Sequence, residues 1–119
     1  MKPKPSMMPL IGLLFVFNVE NVRDEKREEI IVSKNINIDS ELSELFDLLL
    51  KPEFLRYSPS AQDKYIEAIK YYLEAGDSFD DLFEDMDTYF DQEIHDQRHF
   101  MRVLLSCLKR YQSENVSEL

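Results

Sequence analysis

SPSAQDKYIEAIKYYLEAG, running from Ser58 to Gly76, holds the start, the buried face and the stop of a helix in one line. Ser58 can accept from the free N–H groups of a first turn. Pro59 brings a fixed φ and a missing N–H to the first helical position, where neither is harmful. Gly76 can take the left-handed conformation that closes a helix. Tyr65, Ile66, Ile69, Tyr72 and Leu73 recur at spacings of three and four, which puts them on one side. The stretch predicts a helix from Pro59 to Ala75 with one face in a core, and it sets the class as mainly α.

Working outward, the preceding segment repeats the helical period. Asp39 or Ser40 can cap it, Glu41 and Glu44 suit its positive end, and Leu42, Leu45, Phe46 and Leu49 form its apolar stripe. This helix is expected to end near Lys51, with Pro52 to Tyr57 as a short helical connector. Beyond Gly76, Asp77 or Ser78 can cap a helix that buries Phe79, Leu82, Phe83, Met86 and Phe90. One unbroken helix from Phe79 to Gln112 would be about 51 Å long, too long for a domain of this size. A break between Thr88 and Gln92 is therefore expected, with Asp91 capping a last helix through Tyr111 that buries Ile94, Met101, Leu104, Leu105 and Leu108.

The N-terminal third reads differently. Leu13 to Val22 and Glu29 to Ile38 alternate apolar and polar residues with period two and are rich in β-branched side chains, which predicts two antiparallel strands joined by the charged loop Asn21 to Glu28. The whole is expected to be one domain, residues 1–119: a four- to five-helix bundle-like unit with an N-terminal two-stranded antiparallel β element. Residues 1–6 and 113–119 are expected to fray. Met7 to Phe17 imitates the apolar part of a signal peptide behind Lys2 and Lys4. No small-residue cleavage site follows it, and it is too short to span a bilayer, so a buried element and a cytoplasmic protein without a membrane role are expected.

Composition excludes several functions. Hydrophobic residues at 44%, with eight Phe and six Tyr, are enough to build a core in 119 residues. Two glycines, Gly12 and Gly76, cannot make a phosphate-cradling loop or a hydrolase elbow. The single Cys107 has no disulfide partner and sits among Leu104, Leu105 and Leu108, which is the setting of a buried structural thiol.

Charge is where the sequence is informative about function. Tyr71 to Gln97 contains ten carboxylates and no Lys or Arg, so the net charge of -10 belongs to this segment alone; the rest has fourteen acids against fourteen bases. Asp80, Glu84, Asp87 and Asp91 recur at helical spacing, with Asp81 and Asp85 beside them, opposite Phe79, Leu82 and Phe83. Like charges at that spacing destabilise a helix by ~0.2–0.5 kcal/mol per pair. Plain solvation is one explanation for such a face, and a docking surface for a basic partner is the other. The candidate partner-binding residues are Asp77, Asp80, Asp81, Glu84, Asp85, Asp87, Tyr89, Asp91 and Glu93; Tyr71 and Tyr89, off the main apolar stripes, could anchor an interface.

The carboxylates do not spell a calcium loop, because Phe90 or Leu82 falls where the sharp turn needs Gly. His95 and His99 would stand one helical turn apart and could chelate zinc with Asp91 or Asp96, but Glu does not follow the first His as the catalytic form requires. Structural histidines, with no metal, cofactor or catalytic residue, are the expectation. In size, acidity, helical content and lack of a catalytic motif, the chain resembles the small acidic immunity proteins of bacterial toxin systems of the contact-dependent growth inhibition and colicin types. The resemblance is one of general character, and no functional residue is carried over from it. It implies a non-enzymatic inhibitor that docks an acidic face on a basic toxin domain such as a nuclease, without binding nucleic acid itself. The alternatives are a helical adaptor or regulatory subunit that forms homodimers through an apolar N-terminal strand, and a phage-type nucleic-acid mimic.

Overall fold

The computed structural model describes residues 8–14, 17, 25–76, 79–84 and 94–117. Helices α1 (Met8–Leu14), α2 (Glu25–Ser33), α3 (Asp39–Leu45), α4 (Lys51–Arg56), α5 (Pro59–Ala75), α6 (Asp80–Glu84) and α7 (Gln97–Ser117) follow in that order, and no strand occurs among the described residues. A π-helical turn, Phe46–Leu50, joins α3 to α4.

The quoted stretch folds as its sequence dictates. Ser58 Oγ accepts from the Ala61 N–H at 3.2 Å, Pro59 opens α5, and Gly76 closes it with φ of 75°. Ile66, Ile69 and Tyr72 are buried along its inner side, joined by Ala68 and Gln62. The Gln62 amide donates to the Phe54 and Tyr57 carbonyls at 3.2 and 3.0 Å, adding to the Tyr57 N–H bond that already closes α4 on the Phe54 carbonyl.

The first predicted helix does not stop at Lys51. Pro52 has no N–H and its ring crowds the preceding turn of any regular α-helix. The π turn widens the backbone just before it, with the Lys51 N–H reaching back to the Phe46 carbonyl, and the chain stays helical to Arg56.

The predicted β element finds no support: no strand occurs among the described residues, and its second strand is helix and turn. Glu29 to Ser33 is the second half of α2, and Leu13 and Leu14 close α1; residues 15, 16 and 18–22 of the first predicted strand lie outside the described residues. Two local effects defeat the alternating pattern. Glu25 to Glu29 are all straight-chain residues that lose little freedom in a helix, so they nucleate one that Ile30 to Val32 then join. The alternation of Ile36 with Asn35 and Asn37 belongs to a turn: Asn35 Oδ1 accepts from the Asn37 N–H at 3.0 Å, and the Asn35 carbonyl accepts from Ile38 N–H at 3.0 Å. Asparagine side chains that satisfy nearby backbone donors compete with a sheet ladder. The Glu41 carboxylate, accepting from the Asn35 N–H at 3.1 Å, ties this turn to α3.

The buried side chains form one cluster, with α7 lying against α3, α4 and α5 and contributing Phe100, Met101, Leu104, Cys107, Leu108 and Tyr111. Phe46 meets Phe100 edge to face at 5.5 Å, and Phe54 meets Tyr111 at 6.3 Å. α1 packs on α5 and α6. The last helix runs to Ser117, and its start is displaced from the expected one. Its cap is Asp96: Oδ1 accepts from the His99 N–H at 3.0 Å and the carbonyl accepts from Phe100 N–H at 3.0 Å. No helix among the described residues is long and apolar enough to cross a membrane.

Candidate partner-binding surface

The acidic segment begins on α5 and ends at the start of α7, and its two ends are fastened together. The Arg98 guanidinium donates to the Leu73 carbonyl at 2.6 Å and to the Tyr72 carbonyl at 3.4 Å, so the first base after the acidic run holds the negative C-terminus of α5. At the same end, the His95 N–H donates to Asn37 Oδ1 at 3.0 Å.

Between these ends α6 is set by its apolar residues. Phe79 and Leu82 are buried and Phe83 is half-buried; Phe79 packs on Tyr72 at 6.1 Å and Phe83 lies edge-on to Phe100 at 5.4 Å. Asp80, one position on from Phe79, is exposed, as are Glu74 and Asp96 at the two ends of the segment. Asp81 and Glu84 belong to α6. Asp77, Asp85, Asp87, Tyr89, Asp91 and Glu93 lie outside the described residues, as do Met86 and Phe90. The structure thus brings the apolar anchor of the expected face into the core and puts Asp80 outside it.

The histidine pair is not the one expected. His95 precedes α7 and only His99 lies in it, so the two rings do not share one helical face. The capping of α7 by Asp96 rather than Asp91 causes this. His99 Nε2 instead meets Asp39 Oδ1 at 2.6 Å, joining the starts of α7 and α3. Among the described residues no three His, Cys, Asp or Glu side chains stand close enough together to hold a metal ion.

A second polar region, missed in the sequence, runs along the seam of α3, the π turn and α7. Asp47 in the π turn pairs with Arg110 and accepts from the Tyr111 hydroxyl at 2.5 Å; Lys51 pairs with Glu114 at 3.0 Å. Burial, with the hydrogen bond to Asp47 second, pushes the Tyr111 hydroxyl far above the usual tyrosine range. Between the Asp39 and Asp47 pairs the seam opens into a cleft of about 250 Å³ lined by Asp39, Ser43, Val103, Ser106, Cys107 and Arg110. Burial raises the Cys107 thiol above its ordinary value, more than Ser43 and Arg110 lower it, so it stays protonated near neutral pH. His99, eight residues earlier on the same helix, is about 12 Å away along the axis and already faces Asp39. The cleft therefore holds a protonated thiol, and the carboxylates nearest to it, Asp39 and Asp47, are paired with His99 and Arg110. Nothing in the sequence signals these pairs, because their members lie about sixty positions apart.

No protein-family model, curated protein or solved structure matches the chain.

Proposed function

We propose that the chain is a non-enzymatic inhibitor of the immunity-protein kind, which neutralises a basic toxin domain in the cytoplasm by presenting the acidic segment to it. One observation carries this reading: the entire net charge of -10 is confined to Tyr71 to Gln97, where no base is interspersed. A domain selected for solubility alone mixes the signs of its surface charges. The anchoring of α6 by Phe79 and Leu82, with Asp80 exposed, supports it, because carboxylates carried on a fixed element imitate the spaced phosphates of a nucleic acid. A nuclease is positive where it grips its substrate, so it is the preferred class of toxin.

The competing reading, a self-associating adaptor, leaned on an apolar strand at a sheet edge. Of that N-terminal strand, Leu13 and Leu14 are helical in α1, and residues 15, 16 and 18–22 lie outside the described residues. Salt separates the two. Steered association with a basic domain, which can reach about 10⁸ M⁻¹s⁻¹ at low ionic strength, slows steeply as salt rises. Tight binding to a co-purifying basic protein that weakens from low to high salt is the expected result; salt-insensitive homodimerisation with no such partner would reject the proposal. A nucleic-acid mimic directed at a restriction or CRISPR complex would show the same salt response and is told apart by the identity of the captured protein.

A further inference from the structure

α6 rests on two aromatic seats that belong to different helices. Phe79, whose carbonyl takes the Phe83 N–H at 3.1 Å, packs on Tyr72 of α5 with ring centroids 6.1 Å apart; Phe83 lies edge-on to Phe100 of α7 at 5.4 Å. The position of α6, and of the exposed Asp80 on it, therefore depends on how the end of α5 and the start of α7 stand to one another. Arg98 joins the two helices at that point. Its guanidinium donates to the carbonyls of Tyr72 itself, at 3.4 Å, and of Leu73, at 2.6 Å, and its own backbone lies two residues before Phe100. The bridge runs from the residue that forms one seat to the turn of α7 that carries the other.

The contact is of a strong kind. Arg98 is half-buried, its bonds are charge-assisted, and the carbonyls it takes belong to the negative end of α5. It acts against the charge of the segment itself, whose ten carboxylates stand without a base and repel one another. A segment that spreads between encounters must be ordered again in each complex, and that cost is subtracted from affinity. Charge and order leave different kinetic traces. Long-range attraction sets the rate of association, whereas the fit of the ordered surface sets the rate of dissociation.

We propose that Arg98 is a positioning residue for partner binding: by bridging the end of α5 and the start of α7 it fixes α6, and it thereby lengthens the life of the complex that the carboxylates form. The proposal rests on reading the acidic segment as a binding surface. It adds to that reading a base that acts through α6 and supplies no attraction of its own.

The test compares the full chain with Arg98→Met, which keeps the apolar stem and removes the guanidinium. Amide exchange of α6 is followed by NMR, and stopped flow at low salt gives the association and dissociation rates of a fluorescent octa-arginine peptide. In Arg98→Met the Leu82 and Phe83 amides should exchange at least roughly tenfold faster, with the middle of α5 unchanged, and the peptide should leave roughly fivefold faster. Its association should be as fast as with the wild type or faster, because the variant is one unit more negative. Arg98→Lys keeps the charge and one donor group, so it should recover part of both effects; where Arg98→Met does not fold, the same readouts on Arg98→Lys decide. Unchanged α6 exchange, or faster exchange with unchanged dissociation, would overturn the positioning role and leave the acidic-surface reading standing. If the peptide does not bind the wild-type chain, the reading of the segment fails and the role of Arg98 fails with it.

Discussion

The seam between α3, the π turn and α7 and the segment between α5 and α7 are both rich in carboxylates, and they treat them in opposite ways. Along the seam several acids meet partners from a distant part of the chain: Asp39 meets His99, Asp47 meets Arg110 and Tyr111, and Glu114 meets Lys51; beside it, Asp63 of α5 accepts from Gln112 at 2.8 Å. In Tyr71 to Gln97 ten carboxylates stand in a run without a base, and the Arg98 that follows them is engaged by the backbone of α5. Acids in the first region hold elements together. Of those in the second, Asp96 caps α7, while Glu74 and Asp80 are exposed on their helices; a function outside the fold is the reading proposed for the run.

The contrast can be broken or sharpened by mutation. The largest effect is expected at the residue that serves both regions. Phe100 packs on Phe46 in the core and on Phe83 of α6, so Phe100→Ala should cost about 3–5 kcal/mol in urea unfolding. It should also loosen α6, read as faster amide exchange at Leu82 and Phe83. Next comes Asp47. Asp47→Ala leaves the buried Tyr111 hydroxyl without its acceptor and should lose about 1–3 kcal/mol, whereas Asp47→Asn keeps an acceptor and should lose less. The half-exposed Arg110 pair adds little to that figure.

Alkaline titration reports on the same region. Burial and then Asp47 raise Tyr111, and burial followed by Tyr57 pushes Tyr65 up to about 12. An unfolded tyrosine ionises near pH ~10, so above that the unfolded chain holds fewer protons than the native one and stability falls as pH rises. For Tyr65 the loss develops from that point up to about 12, its folded value. The urea midpoint should therefore drop on raising pH above ~10, and Tyr111→Phe should flatten the drop. An equally steep fall in the variant would assign the effect elsewhere.

The smallest effect is the most telling. Asp80→Lys should leave stability within about 0.5 kcal/mol and shift it upward, since it relieves like-charge repulsion on α6. A loss comparable to that of Asp47→Ala would show that the acidic run is structural after all, and would erase the distinction between the two regions.

What the sequence made legible follows the range of the forces involved. α5 could be read to the residue because Ser58, Pro59 and Gly76 act locally, through one cap bond, one fixed φ and one left-handed closure. The buried faces of α5 and α7 were legible from spacing, and Cys107 from its apolar neighbours. The second predicted strand fails because Ile36 between two asparagines looks alternating, while the Asn35 side chain closes a turn there. α7 was begun at the wrong aspartate because Asp91 and Asp96 are equivalent as caps in sequence. Its actual start at Asp96 puts Phe100 against Phe46 and His99 against Asp39, contacts some sixty residues away. The same distance hid the seam. Of the expected site, Asp80 is seen exposed, Asp81 and Glu84 are placed on α6, and the rest lies outside the described residues.

The central claim is that the carboxylates of the acidic segment act on a basic partner and not on the fold. It is tested most directly by the association rate of the Asp80→Lys, Glu84→Lys, Asp87→Lys variant with the basic domain that the wild-type chain binds, measured at low salt. Association at least tenfold slower, with an unchanged melting temperature, is the expected result. An unchanged rate and affinity would contradict it.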